Sequence, residues 1–187
     1  YQEANRPQVH FSFRHGALGD PTAKFYYAPK DEWHMFFIYN PFRGKEVSWG
    51  HAVSKDLIHW EERPCTFEYG TRMFNGTGFV DTRNDLGLNM DGEQAIVLLQ
   101  SHMDRKGGPF SYVISVDGGE TFKTVDAIRK EMNRPDLPTN PVIESSRHDA
   151  PRIYWSEACQ RYVLHLKHRR RIVNQYLSKD LKTWEQI

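Results

Sequence analysis

The chain has 187 residues, which suffices for one ordinary domain with a sizeable core or for part of a larger repetitive domain. Its 25 Lys and Arg residues balance 24 Asp and Glu residues to a formal net charge of +1, so neither a nucleic acid nor a membrane is expected as a partner. Aromatic residues make up 13% of the chain, and those that do not fill the core offer flat faces on which neutral sugars stack.

The first residue is Tyr1 rather than Met, which either the removal of a signal peptide or a trimmed sequence would explain. The first explanation predicts a secreted or periplasmic protein. The sequence contains no apolar run that approaches the roughly 18 to 20 residues needed to span a bilayer.

An acidic turn comes first among the predicted elements, in the stretch RHGALGDPTAKFYY from Arg14 to Tyr27. Asp20 stands there between Gly19 and Pro21, ahead of an aromatic-rich run. A turn aspartate of this kind can simply bond its own backbone, and most isolated Gly-Asp-Pro triplets do no more than this. The role of Asp20 therefore depends on the organisation of the rest of the chain.

Most of the remaining chain consists of short runs typical of β-strands. These runs mix β-branched and aromatic residues and are bounded by turn residues. They predict strands at 24–28, 32–40, 49–54, 94–101, 110–116, 151–155, 161–167 and 172–178. One stretch is different: in TVDAIRKEMN, residues 124–133, apolar side chains recur at helical spacing and predict one short surface helix.

The spacing of cysteine and histidine predicts neither a metal site nor a cofactor. Cys65 and Cys159 lie far apart and lack the paired spacing of a zinc site or a disulfide framework. His165 and His168 are close in sequence, but on a strand residues i and i+3 face opposite sides, so they would not share an ion.

A sequence repeat organises the chain. SKDLIHWEE at 54–62 recurs almost unchanged as SKDLKTWEQ at 178–186, and SVDGGETFK at 115–123 keeps the Ser-x-Asp pattern, the turn and the closing aromatic. The leading serines, Ser54, Ser115 and Ser178, are 61 and 63 residues apart. Each copy follows a strand-like run, and Ser and Asp side chains can bond nearby backbone amides to close a hairpin.

Repeats of about four strands predict an all-β fold of the β-propeller type. About three blades fit into residues 1–187, which then form one partial propeller domain with no second domain. Because the smallest closed rings have about four blades, three blades leave two faces uncovered. We therefore expect this segment to associate, aggregate or bind the remainder of its own propeller or a second chain.

The order and spacing of several segments resemble those of glycoside hydrolase family 32, the invertases, levanases and inulinases. These segments are RPQVHFSF, GDP, HMFFIYNP, WGHAVSKDLIHWEE, FNGTGFVD, SVDGGETF, HDAPRIYW and YLSKDLKTWE, which together extend from Arg6 to Glu185. The resemblance implies the N-terminal blades of a five-bladed β-propeller glycosidase. It also implies a carbohydrate substrate, either a β-fructofuranoside or a related glycoside, hydrolysed with retention of configuration.

The same resemblance implies roles for individual residues. Asp20 matches the nucleophile that attacks the anomeric carbon, and Asp149 matches the aspartate that stabilises the oxocarbenium-like transition state. Trp49 and Phe74 match residues that line the sugar subsite. Asp81 matches an acidic residue close to the pocket. On this reading, Asp20 points into a central pocket rather than only shaping a turn.

Three further substrate-binding residues are expected where the chain departs from the family pattern. Asn75 stands at a position where serine is usual. The Arg-Asp-Pro motif is interrupted, so that either Arg147 or His148 provides the positive neighbour of Asp149.

Other departures weaken the expected hold on the sugar, since each unpaired buried hydroxyl costs about 1 to 3 kcal/mol. They lie at Ala17, Gly19, Thr22 and Ile38, and they favour an alternative function, a catalytically degenerate propeller that binds a glycan. A third hypothesis is a blade set that completes a propeller with another chain. Retention of both Asp20 and Asp149 favours the enzyme.

The family's general acid/base lies in a Glu-Cys motif that would follow the last repeat, beyond Ile187. Glu157, in SEACQ, is a substitute by residue type, but it is expected at a hairpin tip far from the pocket. Residues 1–187 alone are therefore expected to lack the general acid/base and to be inactive.

Overall fold

The computed structural model describes residues 4–5, 11–40, 47–66, 73–102, 109–144, 148–168 and 172–187. Twelve strands and one α-helix lie in this part of the chain. The strands are β1 Ala17–Tyr27, β2 Glu32–Asn40, β3 Ser48–Ser54, β4 Glu61–Arg63, β5 Met73–Val80, β6 Ile96–His102, β7 Phe110–Ser115, β8 Lys123–Thr124, β9 His148–Ser156, β10 Arg161–His168, β11 Val173–Ser178 and β12 Glu185–Gln186.

The strands form three four-stranded antiparallel sheets with the simple orders β1-β2-β3-β4, β5-β6-β7-β8 and β9-β10-β11-β12. We call these sheets blades 1, 2 and 3. β5 packs against β1 on one side and β9 on the other, so the first strand of each blade is the innermost. The predictions of an all-β propeller fold and of about three blades are confirmed.

The predicted helix is α1, Val125–Glu131, which packs against blade 2. Val125 and Ile128 are its buried residues, and the Thr124 side chain caps its first turn by accepting a bond from the Ala127 amide at 3.3 Å. In the described part of the chain, no helix has the length and apolar character needed to cross a membrane.

Four strands lie outside the predicted runs: β4, β8 and β12 are two or three residues long and follow the repeated turns, whereas β5 has eight residues. β5 escaped prediction because it contains two glycines, which weaken the strand pattern. Both glycines allow a close approach of neighbouring elements. A Cβ atom at Gly76 would lie 2.4 Å from both the Leu99 carbonyl oxygen and the Trp49 ring, and one at Gly78 would lie 3.0 Å from Ala23 Cβ. The glycines therefore let β5 pack tightly between its own blade and blade 1.

The repeated Ser-x-Asp segments occupy equivalent positions in the three blades. Ser54, Ser115 and Ser178 are each the last residue of a blade's third strand. Each serine Oγ accepts a hydrogen bond from a backbone amide of the turn that directly follows it. The distances are 2.8 Å for Ser54, 2.8 Å for Ser115 and 2.9 Å for Ser178. The predicted equivalence of these hairpins is confirmed.

Two of these hairpins dock on the preceding blade. In blade 2, the Gly118 carbonyl accepts a bond from Lys30 Nζ at 3.1 Å, and the Phe122 ring meets the Phe36 ring edge-on at 5.6 Å. In blade 3, Leu181 is fully buried in a core shared with blade 2, and Trp184 Nε1 bonds to the Tyr112 hydroxyl at 3.2 Å.

The hairpin of blade 1 differs from the other two. Among its residues, Leu57 is 46% exposed and Ile58 is 76% exposed. Leu57 matches the buried Leu181 in the repeat, so the difference lies in the surroundings of the hairpin and not in its sequence.

A buried histidine pair lies in blade 1 beside the docked hairpin of blade 2. His34 Nδ1 and His51 Nε2 are 2.9 Å apart, and both side chains are buried. His34 Nε2 lies 3.2 Å from a Glu32 oxygen. The 2.9 Å contact fits two neutral rings, one of which donates to the other, whereas His34 Nε2 has no hydrogen-bond partner among the described residues despite the nearby Glu32 oxygen. Protonation of both facing nitrogens would point two N–H groups at each other, which is incompatible with the contact.

This pair predicts loss of stability in acid. Burial, helped by the charges of Lys30 and Arg63, lowers the pKa of His34 from 6.5 to about 4, and burial also lowers the pKa of His51. The folded-state pKa lies below the unfolded value, so the unfolded chain takes up protons first as pH falls. We expect the urea midpoint to drop progressively between pH 6.5 and about 4.

A double variant, His34→Gln with His51→Gln, should remove most of this pH dependence. Replacement of the exposed His15 by Gln is the matched control and should leave it intact. A double variant that loses stability in acid as steeply as the parent would show that other groups control it.

Candidate active site

The innermost strand of every blade is irregular near its start. β1 has one more residue than β2 between the pairs Leu18–Tyr39 and Pro21–Phe37, and β5 has one more residue than β6 between Met73–His102 and Gly76–Gln100. β9 likewise has one more residue than β10 between Asp149–Lys167 and Arg152–His165. Such bulges redirect side chains and are frequent beside active sites. The sequence repeat did not reveal them.

Asp20 lies in the bulge of β1, and its side chain is exposed. Pro21 follows it, lacks an N–H group and has a fixed φ, which suits a break in the ladder. Gly19 lies close to β2, where a Cβ atom would be 3.2 Å from Ile38 Cβ. The local sequence thus presents the Asp20 carboxylate at the surface of the innermost strand.

Asn75 and Asp149 are in direct contact across blades 2 and 3. Asn75 Nδ2 donates to Asp149 Oδ1 at 2.8 Å, and the same oxygen accepts a bond from the Ala150 amide, also at 2.8 Å. Ala150 has a φ of 48°, in the left-handed region that few non-glycine residues adopt. The carboxylate is therefore fixed by a side chain of one blade and a special backbone turn of the next.

Asp20 lies at the level of this pair. The close approach of Gly78 to Ala23 aligns β5 with β1. Asn75 and Asp20 lie three residues before this contact on their strands, and β1 has a second irregularity in that interval, between Pro21 and Ala23. Asp20 and Asn75 thus lie within the bulges of β1 and β5, and Asp149 is the paired residue directly before the bulge of β9. The structure brings Asp20, Asn75 and Asp149 to the same end of the propeller wall.

A cavity of about 530 Å³ continues along the innermost strands from this level. A volume of this size is typical of pockets for small ligands. Residues from all three blades line it: Pro21, Thr22, Ala23, Lys24, Met35, Thr77, Gly78, Arg152 and Ile153. Lys24 and Arg152 give the cavity positive charge, and Asp20, Asn75 and Asp149 are not among its lining residues.

Trp49 and Phe74 are neighbours, but they are placed differently. Trp49 is fully buried, and its Nε1 donates to the Phe74 carbonyl at 2.7 Å. Phe74 is half-buried in the β5 bulge, beside Asn75. Trp49 therefore supports the bulge from behind, and Phe74 is the aromatic side chain of the two that has exposed surface.

Asp81 has a structural role that the sequence did not indicate. It is fully buried, and its two oxygens accept bonds from the amides of Asp85 at 3.0 Å and Leu86 at 2.9 Å. It follows β5 at the strand's far end, six residues beyond Asn75, which corresponds to about 20 Å along a strand. The structure does not bring Asp81 to the other predicted residues, and we assign it to the loop after β5.

The remaining predicted residues are described in part. Arg147 lies outside the described residues, and of His148 the backbone is described, as the first residue of β9. Glu157 lies in the turn after β9, eight residues beyond Asp149 and about 26 Å along the strand. Its place at a hairpin tip agrees with the sequence analysis.

Comparison with known proteins identifies similar sequences over nearly the whole chain. A family model, the glycosyl hydrolases family 32 N-terminal domain, matches residues 10–187. The chain is 35% identical to a levanase from Bacillus subtilis (strain 168) over 190 residues, covering 98% of this chain and 26% of the levanase. It is 30% identical to an invertase from Debaryomyces hansenii, covering 97% of this chain and 34% of the invertase. The chain thus spans about a quarter to a third of the length of these curated relatives.

Comparison with solved structures also finds similarity to fructoside-hydrolysing enzymes over nearly the whole chain. A β-fructofuranosidase from Schwanniomyces occidentalis, complexed with fructosyl-erythritol, superimposes with a TM-score of 0.82 at 28% identity and covers 97% of this chain and 36% of its own. An exo-inulinase from Aspergillus awamori gives 0.80 at 27% identity, covering 100% of this chain and 40% of its own. The three blades match the corresponding part of both enzymes.

Proposed function

Because the chain belongs to glycosyl hydrolase family 32, we propose that it forms the first three blades of an enzyme that hydrolyses β-fructofuranosides with retention of configuration. The observation that carries this proposal is that Asp20, Asn75 and Asp149 lie in or directly beside the bulges of three adjacent innermost strands. The relatives named as levanase, invertase and exo-inulinase support the class of substrate.

The two aspartates have surroundings that suit different tasks. Asp20 is exposed at the strand surface, as a nucleophile that must reach the anomeric carbon has to be. Asp149 is half-buried and fixed by two hydrogen bonds, which suits a group that holds sugar hydroxyls while positive charge develops on the ring. In this proposal Asp20 forms the glycosyl-enzyme bond and Asp149 stabilises the transition state.

A retaining hydrolase also needs a proton donor whose carboxyl group lies about 5 to 5.5 Å from the nucleophile. Glu157, in the turn after β9, lies too far from the Asp149 end of that strand for this task. We assign the general acid/base to a blade beyond these three, and residues 1–187 alone are then inactive.

The substrate contacts follow from the same geometry. We propose Phe74 as the apolar surface beneath the sugar, with Arg147 and His148 near Asp149 as hydroxyl ligands. Trp49 contributes indirectly, through its bond to the Phe74 carbonyl.

The partners and location follow from the relatives and the open blade. We propose that further blades, from the remainder of the protein or from a second chain, cover the hairpin of blade 1. The protein is proposed to be secreted or periplasmic, since one relative is named an extracellular exo-inulinase of Aspergillus niger (strain ATCC MYA-4892 / CBS 513.88 / FGSC A1513).

The test is a substrate panel for the full-length protein. We expect fructose release from sucrose, inulin or levan, no glucose release from maltose, and, by NMR at early times, fructose of the β configuration. Binding of these fructans without any release would favour the glycan-binding alternative. An inverted product would contradict the retaining mechanism.

A further inference from the structure

We propose that Asn75 is a positioning residue, which fixes one oxygen of Asp149 so that the other oxygen alone receives the substrate. This inference rests on the function proposed above. It reassigns Asn75, which the sequence suggested as a direct substrate ligand, to a role exerted through a neighbouring carboxylate.

The first step is the division of labour between the two oxygens of Asp149. Oδ1 accepts bonds from Asn75 Nδ2 and from the Ala150 amide, both at 2.8 Å. Among the described residues, Oδ2 has no partner. A carboxylate offers about four acceptor sites, so two donors occupy the lone pairs of Oδ1 and leave those of Oδ2 for sugar hydroxyls.

The second step is the rigidity of Asn75 itself. Ser101 Oγ donates to the Asn75 carbonyl at 2.9 Å, and Trp49 Nε1 donates to the carbonyl of the preceding Phe74 at 2.7 Å. On the other side, Gly76 has no room for a Cβ atom. The backbone of Asn75 is therefore held on both sides, and its amide group is a fixed reference point for Asp149.

The third step is the chemistry of the amide. The Asn NH₂ group is always a donor and never ionises, so it bonds the Asp149 carboxylate over the whole working pH range. A serine hydroxyl is closer to the backbone and would not span the same gap to blade 3. An aspartate has the shape of Asn but, when ionised, presents an acceptor to an acceptor.

The decisive variant is Asn75→Asp in the full-length protein. At pH 7 the two facing carboxylates repel, so Asp149 loses its orientation and kcat/KM for sucrose should fall about 100-fold, mostly in kcat. At pH 4.5 one carboxyl of the pair keeps a proton and donates it to the other, so the deficit should shrink to about tenfold or less. Asn75→Ser should show a loss that does not change with pH.

The matched control is Asn133→Asp, which introduces the same charge at an exposed position far from the site. Its kcat/KM should stay within about twofold of the parent at both pH values. A purely structural role for Asn75 predicts equal losses for the Asp and Ser variants without the recovery in acid.

Unfolding measurements separate this inference from the proposed function. Because the repulsion exists without substrate, Asn75→Asp should lower the urea midpoint more at pH 7 than at pH 4.5. Absence of that difference would overturn the contact. If the midpoint of Asn75→Asp depends on pH in this way but its kcat/KM is unchanged, the positioning role is overturned. If the parent protein is inactive on sucrose, inulin and levan, the proposed function is overturned and the contact between Asn75 and Asp149 remains.

Discussion

Replacement of Asp20 by Asn in the full-length protein is expected to lower kcat by roughly 10⁴-fold or more while leaving the fold and the affinity for sugar nearly unchanged. An amide has almost the shape of the carboxylate but cannot form the glycosyl-enzyme bond. Because Asp20 is exposed in a strand bulge, the change removes no buried contact. The measurement is initial-rate kinetics with sucrose, together with calorimetric binding of fructose.

The control is Asp91→Asn, an identical change at an exposed loop residue whose φ of 53° Asn also tolerates. Its kcat should match that of the parent. Undiminished turnover by the Asp20 variant would remove Asp20 from the nucleophile's role, whatever the substrate.

The second large effect concerns Trp49, where truncation to Ala should destabilise the protein by about 3 to 5 kcal/mol. The side chain is fully buried between blades 1 and 2 and bonds to the Phe74 carbonyl. Its loss leaves a cavity beside Gly76 and an unpaired carbonyl under the β5 bulge. Urea unfolding gives the stability, and a parallel fall in kcat/KM would report the displacement of Phe74 and Asn75.

Two variants resolve the contributions to this loss. Trp49→Phe keeps most of the volume but removes the donor, and it should cost about 1 to 2 kcal/mol. Trp33→Ala truncates a half-buried tryptophan that packs on Tyr26 at the surface of blade 1 and should cost less than half as much as Trp49→Ala. Equal costs for the two Ala variants would show that the seam between the blades does not depend on Trp49.

The regular part of the fold could be predicted because it depends on local patterns. Alternating strands and the Ser-x-Asp turns are written in consecutive residues, and they correctly indicated three blades and the place of Ser54, Ser115 and Ser178. β5 was missed for the opposite reason: its residue Gly76 is required by the close approach of Leu99 and Trp49, which are distant in sequence.

The candidate site was predictable by residue type but not by arrangement. Asp20 and Asp149 could be selected from their motifs, whereas the bulges that align them arise from pairing between strands. The bond from Asn75 to Asp149 joins residues 74 positions apart, and no spacing rule indicates it. Asp81 was expected near the pocket but lies buried in the loop after β5. From sequence alone, a buried aspartate that closes a loop cannot be distinguished from one that faces a pocket.

The docking of each hairpin on the preceding blade gives the array a direction, like the head-to-tail order of a polymer. Blades 2 and 3 each place a hairpin on the blade before them, and blades 1 and 2 each receive one, so the surface that presents a hairpin differs from the surface that receives it and is complementary to it. In blade 1 the corresponding hairpin is not covered: Leu57 is 46% exposed and Ile58 is 76% exposed. A two-fold symmetric contact between two copies of this chain would place one blade 1 hairpin against the other, which reproduces neither of the two observed contacts between blades. A partner that covers Leu57 and Ile58 therefore has to present an apolar surface like the one on blade 2 that buries Leu181.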